Sequence, residues 1–184
     1  MDTVTIIRLV ILFVLIVLSS FFSSSETALS VANRIKIRAI EEEGNKRAQI
    51  LGKIFAQNNK MLSAILICNN VVNLSASALC ATFAMSISVP VGIATGILTF
   101  VILLFGEIVP KTRALSEPEK LALRWARVIY GLMLLLTPVI AVVDAFSGAV
   151  LRLLGVNKDV KVAITENELK TYVDASHEDG VIET

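Results

Sequence analysis

Three clusters of polar residues lie inside apolar stretches of the chain. Polar groups in such surroundings are costly without internal partners. The first cluster is Ser19-Ser20-Phe21-Phe22-Ser23-Ser24-Ser25-Glu26. Ser19 and Ser23 are four apart and share a helix face, with Glu26 three beyond Ser23 on the same side. The second is Asn69-Asn70-Val71-Val72-Asn73, followed by Ser77. Asn70, Asn73 and Ser77 follow i, i+3, i+7 and form one stripe. The third is Gly106-Glu107-Ile108-Val109-Pro110-Lys111. In an α-helix the N–H of residue 110 would bond the carbonyl of residue 106, and Pro110 has no N–H. The Gly106 carbonyl is then bare beside the Glu107 carboxylate, which makes a cation-binding pair.

Together the clusters offer hydroxyls, an amide oxygen, a main-chain carbonyl and one carboxylate. These hard donors suit Mg²⁺ or Ca²⁺, with Na⁺ a further candidate, and not soft or borderline metals. Ser19, Ser23, Asn70, Gly106 and Glu107 supply five oxygens. A second oxygen from Ser19, or a water, would complete the octahedron that Mg²⁺ demands. Each group also has an ordinary use. Membrane serines bond back to their own helix, and asparagines join helices. Glu107 has Lys111 and Arg113 nearby in sequence, and Glu26 has Arg34 or a nearby lysine. Other chemistries have little material. Cys68 and Cys80 sit in an apolar run with neither disulfide nor zinc spacing. The one histidine, His177, stands in a polar tail, and no Ser-His, paired Asp or HExxH arrangement occurs, so no enzyme is expected. A net charge of +1 gives no case for a nucleic-acid partner.

The elements that must position these groups follow from charge segregation. No charge occurs over 9–25, over 61–106 or over 128–143, and mean hydropathy is +0.75. A spanning helix needs about 20 apolar residues. The middle run of 46 residues would be roughly 69 Å long as one helix, about twice a bilayer core, so it folds back. Pro90 can open the second arm. The spans are therefore expected near 4–31, 61–86 and 90–113. Residues 34–58 read as two short amphipathic helices broken at Gly44-Asn45. Seven Lys/Arg fall in 32–60, five in 111–127 and none in 86–90. The charge rule puts the first two segments in the cytoplasm and the N-terminus and the 86–90 turn outside. A fourth apolar stretch, part of a juxtamembrane helix over 119–152, contains Pro138. It is expected to be kinked and to lie at, or re-enter, the inner interface, with Trp125 and Tyr130 at headgroup level. A fourth full crossing is the alternative, and it would break the charge rule. The fold class is thus an all-α membrane protein of three spanning helices, an inner-face amphipathic pair and a kinked juxtamembrane helix. Residues 1–156 form the transmembrane domain and 157–184 a polar linker. Thr165 and Glu168 form a capping box that starts a helix to about Ser176.

The run from Ser19 through Glu26-Thr27-Ala28-Leu29 resembles the first-helix signature of the CNNM/CorC magnesium transporters. Asn70-Val71-Val72-Asn73 and Gly106-Glu107-Ile108-Val109-Pro110-Lys111 resemble its second- and third-helix signatures, in the same order. The tail from Ile164 to Glu183 resembles the linker into the family's paired CBS domains, which these 184 residues do not include. The resemblance implies a homodimer in the cell (inner) membrane that binds Mg²⁺ within the membrane domain. It also implies Mg²⁺ export driven by Na⁺, with ligands at Ser19, Ser23, Asn70, the Gly106 carbonyl and Glu107. Ser24 departs from the pattern, where glycine is common, and adds a second hydroxyl ladder with Ser20.

The function expected is Mg²⁺ transport by alternating access, with the ion as cargo and Na⁺ as coupling ion. The alternative is a Mg²⁺-binding sensor that controls another transporter and passes no ion itself.

Overall fold

The computed structural model describes residues 3–154. Among the described residues there are seven helices and no strand. They are α1 Thr3–Val31, α2 Arg34–Glu42, α3 Lys46–Phe55, α4 Asn58–Ser86, α5 Val91–Ser116, α6 Pro118–Leu135 and α7 Thr137–Leu153. The chain divides into two compact units, Met1–Ala141 and Val142–Thr184. The first holds every residue discussed below. The linker helix expected over 165–176, and His177, lie outside the described residues.

Helices α1, α4 and α5 are long and apolar enough to cross a membrane, and the broken pair α6–α7 would make a fourth crossing if it counts as one. Helix α1 has 29 residues, about 44 Å at 1.5 Å per residue, which exceeds a hydrocarbon core of about 30 Å. Large apolar side chains such as Val10, Phe13, Leu74, Ile97 and Phe100 point outward. That is the wrong solvent in water and the right one in lipid.

Local chemistry fixes the short helices. Asn33 accepts from the N–H groups of Ile35 and Lys36 and starts α2, and Asn45 does the same for α3 through Arg47 and Ala48. Between them Gly44 has φ +86°, a conformation that costs a side-chain-bearing residue about 1–2 kcal/mol. The pair buries Ile37, Ala48, Leu51 and Ile54 against Leu29, Met61, Ala122, Ala126 and Ile129. This core gathers the end of α1, the start of α4 and the face of α6. Phe21 meets Trp125 edge-on with centroids 4.7 Å apart, pinning α6 to α1.

Helix α6 breaks at Leu136. Pro138 has no N–H for the Leu134 carbonyl. The Thr137 hydroxyl bonds the Met133 carbonyl at 2.8 Å, satisfying another group that the break exposes. The kink expected from Pro138 is therefore present.

Both ends of the bundle carry polar ties. At one end Asn33 N–H donates to Glu119 at 3.1 Å and Lys111 pairs with Glu26 at 3.3 Å. At the other, Arg8 donates to Ser86 at 3.0 Å.

Candidate cation site

Ser19 is where three helices meet. A Cβ added to Gly106 on α5 would lie 2.9 Å from Ser19 Oγ and 3.3 Å from Ser19 Cβ. Only glycine allows that approach without displacing the hydroxyl. Ser19 Oγ also donates to Asn69 Oδ1 on α4 at 3.5 Å. One residue along α5, Glu107 accepts from Asn73 Nδ2 on α4, again at 3.5 Å. Hydroxyl, amide, glycine backbone and carboxylate are thus gathered at one α1–α4–α5 junction.

Hydrogen bonding separates the serines by role. Ser24 and Ser25 both donate to the Phe21 carbonyl, at 3.0 and 2.8 Å. They follow the ordinary backward-bonding pattern. Ser19 and Ser23 are buried and do not. Ser23 Oγ is enclosed without a hydrogen-bond partner, and so is Asn73 Oδ1. A buried polar atom left unsatisfied costs about 1–3 kcal/mol. Oxygens held away from donors remain available to a cation.

The electrostatics also leave the acid available. Glu107 is half-buried, and among the described residues no Lys or Arg nitrogen lies within the 4.0 Å of an ion pair with it. Its sequence neighbour Lys111 is held by Glu26. Glu26 therefore takes the ordinary structural use, pairing with a lysine, Lys111.

The backbone of α5 changes register here. Residues Ile102–Ile108 form a π-helical segment, and the Val109 N–H bonds the Leu104 carbonyl five residues back. A single-turn π-bulge of this kind often marks a function. Pro110 comes next and donates nothing. In the wider register the carbonyl matched to residue 110 is that of Phe105, and the N–H matched to Gly106 is that of Lys111. Pro110 therefore has no N–H to give to the carbonyl of Gly106 in the α register or of Phe105 in the π register.

Asn70 is exposed on the surface of the chain, and its side chain makes no hydrogen bond to Ser19 or Glu107. The amides that do reach are Asn69 and Asn73. Asn73 was signalled by its stripe with Ser77. Indeed Asn73, Ser77, Thr99 and Glu107 line an open cleft of about 210 Å³ with Ile102 and Leu103. Asn69 carries no spacing signal of its own, since two adjacent residues differ by only 100° around a helix. Among the described residues no three of His, Cys, Asp and Glu come together.

Residues 10–184 match the family described as the Cyclin M transmembrane N-terminal domain. The chain belongs to the CNNM family. This CNNM chain is 36% identical to a UPF0053 protein of Haemophilus influenzae over 182 residues, 97% of the chain and 43% of that protein. It is 36% identical to the UPF0053 inner membrane protein YfjD of Escherichia coli, over 86% of the chain and 38% of that protein. A chloroplastic DUF21 domain-containing protein of Arabidopsis thaliana is 34% identical over 94% of the chain and 27% of its own length. The CNNM chain therefore spans less than half the length of these relatives. Its three apolar helices and its family make it a multi-pass membrane protein.

Proposed function

We propose that this domain carries Mg²⁺ across the membrane by alternating access at the α1–α4–α5 junction. The observation that carries the reading is the set of enclosed oxygens without hydrogen-bond donors, Ser23 Oγ and Asn73 Oδ1, beside a half-buried Glu107 free of any base among the described residues. Ser19, Ser23, the Gly106 carbonyl, Glu107 and the free Asn73 amide oxygen are the proposed ligands, Asn69 positions the Ser19 hydroxyl, and Asn70 as a ligand rests on the family resemblance alone. Glu107 supplies charge, and the neutral oxygens replace hydration waters. The cleft of about 210 Å³ beside Glu107 admits a hydrated ion, since six waters take about 180 Å³ at their liquid share. The family is a membrane-transporter type generally associated with Mg²⁺ and other divalent cations, which supports the cargo. Export, Na⁺ coupling and a homodimer rest on the family resemblance.

Flux of Mg²⁺ into liposomes that contain only the purified chain tests the reading. Glu107→Ala is expected to abolish flux while the dimer elutes unchanged. Binding without flux in the parent chain would instead favour the sensor. Unchanged flux in Glu107→Ala would remove this junction from the mechanism.

A further inference from the structure

Helix α1 has a second polar edge, Ser20 and Ser24, that the cation site does not use. It faces a cleft of about 330 Å³ between α1, α5 and α6. Arg113 of α5 and Arg124 of α6 line that cleft together with Trp125. Neither arginine has a carboxylate partner among the described residues. Arg124 lies over the Trp125 ring, 5.0 Å from its centroid, which holds the guanidinium in place by its face and leaves its edges to donate.

The cleft does not end at the arginines. It shares Val17, Ser20 and Phe105 with an adjoining apolar slot of about 310 Å³, walled by Phe13, Ile16 and Val101. The two cavities form one path along α5. Arg113 follows Phe105 by eight residues, about 12 Å along the axis at helical rise. One end of the path is therefore cationic, with a tryptophan suited to headgroup depth. The other end is apolar and lies deeper in the span.

From this juxtaposition we propose that the α1–α5–α6 cleft is a binding site for an anionic phospholipid. Its phosphate sits on Arg113 and Arg124, and one acyl chain lies in the slot beside Val101. Arginine forks match phosphate oxygens in paired geometry. Basic pockets between membrane helices are a recurring recognition mode for acidic headgroups. A free anion would satisfy the arginines and leave the slot without an apolar occupant. A zwitterionic lipid would fill the slot and bring a choline cation to the arginines. An acidic lipid serves both ends. The proposal is independent of the ion carried at Ser19 and Glu107.

The test is native mass spectrometry of the delipidated, detergent-purified chain, titrated separately with phosphatidylglycerol, phosphatidylcholine and inorganic phosphate. Phosphatidylglycerol is expected to bind at least about tenfold more tightly than phosphatidylcholine. Arg113→Gln with Arg124→Gln should weaken phosphatidylglycerol about thirtyfold, the loss expected for two basic side chains at an acidic headgroup. Val101→Trp fills the slot and should weaken the lipid while leaving phosphate binding unchanged. Equal affinity for the two lipids overturns the proposal. So does a Val101→Trp chain that binds phosphatidylglycerol as the parent does, which would mean a site for a free anion or for nothing. If the arginine variant elutes as aggregate, the lipid comparison and Val101→Trp decide alone.

Discussion

At the residue scale, the smallest side chain in the site is the most constrained. Gly106 lies so close to Ser19 that a methyl group would contact the hydroxyl at 2.9 Å. Ile102 Cγ2, at 3.3 Å, closes the other side. Gly106→Ala must therefore turn the Ser19 hydroxyl away from α4 and α5. Helix formation gains slightly from the change, because alanine is the better helix former. The variant is expected to keep its helical circular dichroism and to lose about 10- to 100-fold in Mg²⁺ affinity, the range found when a positioning contact is removed from a metal site. Parent-like affinity by isothermal titration would show that the Ser19 hydroxyl is no ligand. Which polar groups the fold gathers at the junction was partly legible in the sequence. Hydroxyls at 19 and 23 and an acid at 107 stand out because they interrupt apolar runs. Which of three neighbouring asparagines faces the junction did not stand out. That depends on how α4 is rotated, and the packing of Met61, Ala64, Ile65 and Val72 decides it.

At the element scale, Pro110 opposes stability beside the proposed site. A proline inside a helix removes a hydrogen bond and costs about 3 kcal/mol in a regular helix. Here the π-helical segment Ile102–Ile108 accommodates it. Pro110→Ala returns an N–H to the carbonyls of Phe105 and Gly106. The expected result is a higher melting temperature in detergent together with weaker Mg²⁺ binding. A variant that gains stability and keeps full affinity would separate the bulge from function. The bulge was not legible in the sequence, which signals only that an N–H is missing. Whether the helix responds by kinking or by widening depends on the close approach of α1. By contrast Pro138, which meets no such constraint, breaks its helix as expected.

The junction of α1, α2 and α6 gives a pH-dependent prediction. The Glu119 carboxylate is held below its ordinary range, first by the Asn33 N–H, then by its own backbone N–H, with Lys36 adding to them. A lowered folded pKa means that the tie contributes stability in full above the unfolded value, near 4.5. The contribution is lost as pH falls through the lowered value. Glu119→Gln should therefore reduce the acid-limb dependence of the melting temperature between about pH 5 and pH 3, relative to the parent. Identical slopes would mean that the contact does not persist in solution.

On the scale of the whole molecule, folding turns two separate basic segments into one basic end. Residues 32–60 and 111–127 are far apart in the chain, yet Asn33–Glu119 and Glu26–Lys111 join their neighbourhoods. The 87–90 turn lies at the opposite end, where Arg8 reaches Ser86. Twelve Lys and Arg residues in the two segments thus oppose a turn that has none. Reversing the molecule would carry these charges across the bilayer, and the charge rule forbids it for segments this short. We therefore propose that the basic end is cytoplasmic. In a chain with Cys68 and Cys80 replaced by alanine, Val89→Cys should react with a membrane-impermeant maleimide added to intact cells. Glu42→Cys, at the end of α2, should react only after the cells are opened. The reverse pattern would place Arg113 and Arg124 in the outer leaflet. The labelling therefore decides which leaflet supplies the acidic lipid proposed for the α1–α5–α6 cleft, because Arg113 and Arg124 stand at the same end as the basic segments.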